Sequence, residues 1–129
     1  MADNFLHSDI TSGILKAFFK VYNRLGVGFL EKVYQNALTI ELRKQGLDCV
    51  NNYGIDVYYD ECKVGSYFAD ILVNNCVIIE NKIAEFLCPE HEAQLVNYLK
   101  ATSIEVGMLL NFGRKPEFKR KVFNNEYKS

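Results

Sequence analysis

Apolar residues at Ile10, Ile14, Leu15, Phe18, Val21, Tyr22 and Leu25 recur at helical spacing, and Gly26-Val27-Gly28 ends the run. A second helix is expected from about Leu30 to Lys44, with Val33, Tyr34, Ala37, Leu38, Glu41 and Leu42 along its rows and Gly46 closing it. The period then shortens. Strands are expected near Cys49–Tyr59, Val64–Val73 and Val77–Lys82, with Asp60-Glu61-Cys62-Lys63 turning the first pair. Pro89 opens a helix running to about Lys100. Val106–Phe112 is nearly continuous in apolar residues, the pattern of a strand covered on both faces. The order α-α-β-β-β-α-β predicts an α/β sandwich around a mixed sheet.

At 129 residues the chain is expected to be one domain, 1–129, large enough for a substantial core. No run approaches a membrane span, and Met-Ala-Asp-Asn-Phe-Leu-His-Ser does not resemble a signal peptide, so a cytoplasmic protein is expected. The four cysteines (Cys49, Cys62, Cys76, Cys88) are dispersed and form no Cys-x-x-Cys pair, which favours reduced structural thiols over a zinc or iron–sulfur site. The formal net charge of -1 does not advertise nucleic-acid binding. From Arg114 onward, however, Arg114, Lys115, Lys119, Arg120, Lys121 and Lys128 face only Glu117 and Glu126. This basic end reads equally as a phosphate contact and as a solvated terminal segment.

Candidate chemistry concentrates between Asp70 and Lys82. Glu80 and Lys82 are two apart on a strand and project from one face. A three-residue loop, Asn74-Asn75-Cys76, sets Val73 against Val77 and brings Asp70 opposite Glu80. A two-residue Asn74-Asn75 turn pairs Asp70 with Ile79 and sends Glu80 to the other face. Asn-Asn-Cys lacks the Asn-Gly signal of the tight turn, and the active-site reading requires the odd-length loop. The plain alternative is a hairpin with charges on its solvated side. Against it, Glu80 directly follows Val77-Ile78-Ile79, where a carboxylate is costly unless paired or bound to metal. Two carboxylates and a lysine suit metal-assisted phosphodiester hydrolysis. The three are expected to converge at one sheet edge, facing Glu31 and Gln94. Glu31 and Tyr34 share a face in the first turns of the second helix. Gln94 and Tyr98 share one in the later helix, with His91 a turn earlier. Taken alone, each of these pairs reads as structural.

In order, Gly28-x-x-Glu31-x-x-Tyr34, Asp70, Glu80-x-Lys82 and His91-Glu92-Ala93-Gln94-Leu95 with Tyr98 resemble the GxxExxY proteins of the PD-(D/E)XK nuclease superfamily. The likeness extends from about Ile10 to Phe112, and Gly107–Phe112 is similar to the family's Gly-x-Leu-x-Asn-Phe strand. It implies a restriction-endonuclease-like mixed β-sheet flanked by α-helices, with Mg²⁺ or Mn²⁺ bound. It also implies a nuclease acting on nucleic acid, with DNA the first expectation. Asp70, Glu80 and Lys82 are then catalytic. Glu31, Asp70, Glu80 and the Asn81 backbone carbonyl form the metal set, and Gln94, Tyr98, His91 and Tyr34 serve the substrate or the outer shell. For His91, an orienting and a structural role are both open.

The chain departs from the family at Asn81, where relatives carry an apolar residue, and at Tyr22 and Val27, where His and Pro are usual. The Asn81 side chain should point towards the covering helices, where an amide needs hydrogen-bond partners. A reading from a different class is a catalytically silent nucleic-acid-binding or protein-interaction module on the same fold. A phosphohydrolase acting on small nucleotides is a third, though the chain has no P-loop or dinucleotide fingerprint. A homodimer would enlarge the substrate surface of so small a domain, and oligomeric state stays open.

Overall fold

A computed structural model describes residues 6–128. Met1–Phe5, on which most of the leader argument rests, lie outside the described residues. The elements run α1 (Ser8–Leu25), α2 (Glu31–Lys44), β1 (Cys49–Tyr59), β2 (Cys62–Val73), β3 (Val77–Lys82), α3 (Pro89–Lys100), β4 (Val106–Phe112) and β5 (Pro116–Val122), followed by a short 3₁₀ turn, Asn125–Tyr127. The strands form a single five-stranded sheet in the order β1-β2-β3-β4-β5. All neighbours are antiparallel except β3 and β4, which run parallel because α3 carries the chain back between them.

Each face of the sheet buries its own cluster. Ile71, Val73, Val77, Ile79, Met108 and Leu110 pack under α1 and α2. Leu72, Ile78 and Leu109 pack with Leu95, Tyr98 and Leu99 of α3 on the other side. β4 and the first half of β3 send apolar residues to both clusters, as the composition of β4 predicted for that strand. Gly107 belongs to this packing, since a Cβ there would come within 2.7 Å of Leu95 Cδ1.

The decisive hairpin has the odd-length loop. Val73 pairs with Val77 and Ile71 with Ile79, and left-handed Asn74 and Asn75 make the turn. The first hairpin is tighter than expected. Tyr59 pairs with Cys62, so Asp60-Glu61 alone make a two-residue turn, both with positive φ (49° and 65°). The register then shifts at Val57/Tyr58.

The basic C-terminal stretch corrects the expected order by one strand. It forms β5 on the edge of the sheet beside β4. Its charges are tied back into the domain: Lys121 pairs with Glu92, and Arg120 donates to the Leu6 carbonyl. The strand was hidden because Lys119, Arg120 and Lys121 mask its alternation, while those same charges suit an edge that must not recruit another strand. Among the described residues no helix is long and apolar enough to cross a membrane. All four cysteines are free thiols.

Ile79 is fully buried in the central strand. Ile79→Ala should destabilise the domain by about 2–5 kcal/mol through the cavity it leaves, read as a lower urea midpoint.

Candidate active site

The β2–β3 ladder ends at Ile71↔Ile79, and what lies beyond it is a fork. Past that pair the backbone groups bond to carboxylates instead of to each other. The Asp70 N–H donates to Glu80 Oε2 (3.3 Å), and the Asn81 N–H donates to Asp70 Oδ2 (2.7 Å). On its other side, β2 passes from Asn51↔Ile71 to Tyr53↔Ala69, stepping over left-handed Asn52 and Asp70. The Asp70 carbonyl is taken by Gln35 Nε2 of α2 (3.0 Å). Asp70 is thus held at its N–H, its carbonyl and its carboxylate, in mid-sheet and not at the edge.

Lys82 shares a face with Glu80, and its Nζ donates to Gln94 Oε1 of α3 (3.4 Å). Tyr98, one helical turn further, lies close enough to feel the charges of Glu80 and Asp70. Burial, then those carboxylates, push its hydroxyl up to about 12. Glu31 enters from the first turn of α2, close enough to the Ile83 backbone for that N–H to favour its charged form. Burial and the neighbouring Asp70 raise its pKa, against the pull of Lys82.

The loop before α2 explains how Glu31 reaches the fork. Gly26 and Gly28 have φ of 69° and 109°, a turn that L side chains resist. The Tyr34 hydroxyl donates to the Gly26 carbonyl (2.6 Å) and accepts the Phe29 N–H (3.3 Å), while its ring stacks on Phe112. Gly28, Glu31 and Tyr34 therefore work as one device: the glycine bends the loop, the tyrosine ties it down, and the helix starts with its carboxylate at the site.

Asp70, Glu80, Lys82, Gln94, Tyr98 and Glu31 come together. Tyr34 and His91 do not. Tyr34 is fully buried in the α1/α2 layer with its hydroxyl committed to the loop. His91 Nδ1 accepts the Cys88 N–H (3.3 Å) and closes the first turn of α3. Asn81 contributes its backbone to the fork, but its side chain is buried on the opposite face, and neither Oδ1 nor Nδ2 has a hydrogen-bond partner. Gln35 was missed from the sequence, although it stands four residues after Glu31 on the same helical face. Asn111 was missed as well. Its amide bonds both the N–H and the carbonyl of Ala84 (2.9 Å each), fixing the chain just after Lys82.

Glu80 is only 5% exposed. Burial first, and then the charges of Asp70 and Glu31, raise its pKa from 4.5 to about 8, outweighing Lys82 and the Asp70 N–H. Burial raises Asp70 too. Buried Glu80, half-buried Asp70 and exposed Glu31 together offer an excess of negative oxygen donors, the kind a hard divalent cation takes. Among the described residues no three His, Cys, Asp or Glu side chains stand close enough to enclose a metal unaided. A cation here would have the Asp70–Glu80 pair as its protein carboxylates, with Glu31 beside them. Mg²⁺ is commonly bound this way, by one or two carboxylates with water and substrate phosphate completing its shell.

The model of the PD-(D/E)XK nuclease superfamily matches residues 8–121, and the chain belongs to that superfamily. No curated protein matches it. Among solved structures it is similar in fold to the crystal structure of SSO0001, with a TM-score of 0.59 and 17% identity over 73% of this chain and 50% of that one. The restriction-endonuclease-like class expected from the sequence stands, with β5 added.

Two predictions follow from the fork. Because folding raises the Glu80 pKa, its contribution to stability is full below pH 4.5 and is lost as pH rises through about 8. In EDTA, the melting temperature of Glu80→Gln should therefore pull ahead of the parent's between those limits; a constant difference would show that Glu80 titrates normally. Asn81→Val removes the unpartnered amide and should stabilise by about 1–3 kcal/mol in urea unfolding.

Proposed function

We propose that this protein is a divalent-metal-dependent nuclease of the GxxExxY type that hydrolyses phosphodiester bonds in nucleic acid, DNA foremost. The observation that carries the reading is the fork itself. A buried carboxylate, Glu80, and a half-buried one, Asp70, both of raised pKa, meet where the ladder parts, with Lys82 beside Glu80. A structural ion pair would not need two mutually repelling carboxylates at one point.

Asp70 and Glu80, with Glu31, would hold Mg²⁺ or Mn²⁺. When bound, the cation supplies Lewis-acid stabilisation of phosphate charge and makes water a better nucleophile. Lys82, steadied by Gln94, orients the attacking water and donates to the oxygen on which charge develops as the P–O bond breaks. Gln35 and the Asn81 N–H keep Asp70 from swinging away when the scissile phosphate enters. Tyr98 and Gln94 border the substrate side.

The test is cleavage of labelled single-stranded, duplex and branched DNA, and of RNA, each with Mg²⁺, Mn²⁺ or EDTA. Glu80→Gln should abolish metal-dependent cleavage while the protein stays folded. Lys82→Ala should slow it by about 10²-fold or more, yet keep the thermal stabilisation by Mn²⁺. If both variants cleave like the parent, the cleavage arises elsewhere and the silent binding module becomes the better account.

A further inference from the structure

Beyond the fork, the β1–β2 ribbon changes sides. Cys49 packs against the α1/α2 layer, and Asn51 bonds Thr39 of α2, whereas Tyr53, Ile55 and Ala69 pack with α3. The crossing coincides with left-handed Asn52. As a result the outer ribbon stands over α3, and a groove of about 830 Å³ runs between them. Its lining includes Tyr58 and Tyr67 from the ribbon and Gln94, Asn97, Tyr98 and Lys100 from α3.

We infer that this groove is a stacking channel for a single nucleic-acid strand leading into the site, so that the substrate is single-stranded or frayed rather than intact duplex. The proposal rests on the nuclease reading of the fork at its inner end. The first support is continuity. Gln94 and Tyr98 belong to both groove and site, and Tyr67 lies 5.9 Å from Tyr98 between ring centroids. Aromatic rings thus lead from the carboxylates out to solvent. Tyr67 is 48% exposed and Tyr58 is 61% exposed, leaving aromatic surface for bases.

Size is the second support. The volume falls within the roughly 300–1,000 Å³ of small-ligand pockets, room for a short stretch of one strand and not for a double helix. Lys100 is the basic residue of this lining, which also holds Asp56 and Glu90, so a strand here is held by stacking on the tyrosine faces and by the Gln94 and Asn97 amides more than by phosphate charge.

Fluorescence anisotropy with a dye-labelled oligo-dT strand and a hairpin duplex of equal length, in Ca²⁺, tests it. The strand should bind more tightly than the duplex. Tyr67→Ala and Tyr58→Ala should each weaken strand binding by about 5-fold or more, as loss of one stacked base does, while Tyr67→Phe should bind like the parent. Equal binding by the alanine variants, or a duplex bound as tightly as the strand, overturns the channel. If metal-dependent cleavage persists in that case, the nuclease reading survives without it. If strand binding depends on the tyrosines but the parent cleaves nothing, the channel stands and the nuclease reading falls.

Discussion

The structure depends on one exchange of hydrogen bonds. Where β2 and β3 separate, the N–H groups of Asp70 and Asn81 bond to the carboxylates of Glu80 and Asp70. An unpaired N–H at this depth would be costly, so opening a sheet in its middle requires replacement acceptors. Carboxylates provide them, but they bring charge into a place where water is scarce. The fork is thus satisfied in hydrogen bonds and unsatisfied in charge. That imbalance is what an added cation would relieve.

Everything around the fork limits how it can relax. α2 holds the Asp70 carbonyl through Gln35, and Thr39 on the same helix bonds both the Gln35 carbonyl and Asn51 of β1. On the far side, Asn111 of β4 clamps Ala84 so closely that a Cβ on Gly113 would lie 2.0 Å from the Ala84 carbonyl oxygen. α3 is positioned by Leu95 and Leu99 against the sheet and thereby presents Gln94 to Lys82. The site residues sit on two strands and two helices, with loops used only to aim them. Such placement fixes the side chains relative to one another before any ligand arrives.

Legibility in the sequence followed how local each signal was. The hairpin register could be argued because only the odd loop puts Asp70 opposite Glu80, and turn residues and strand period act over a few positions. β4 was legible from an apolar run that few other elements produce. β5 was not, since three consecutive charges erase the alternation that Phe118, Arg120 and Val122 would otherwise show. Gln35 and Asn111 were missed for another reason: their partners are backbone groups 35 and 27 residues away, which no local pattern encodes. Tyr34 and His91 were drawn towards the site by motif order, whereas the structure uses one to tie a loop and the other to close a helix turn. The left-handed Asn52 that carries the ribbon across the sheet had no sequence signal beyond the tolerance of asparagine for that conformation.

Asn81 shows how strand geometry separates two demands on one residue. Its N–H is spent on Asp70, a backbone function available to any residue but proline. Its side chain, turned to the other face by the pleat, is buried with neither amide atom partnered, where an apolar group would pack better. Nothing in the site constrains that side chain, and nothing around it rewards an amide. The cost falls on the stability of the α1/α2 core and not on the geometry of the fork. Position 81 is therefore where the side chain can vary at the expense of stability while the carboxylates on either strand keep their place.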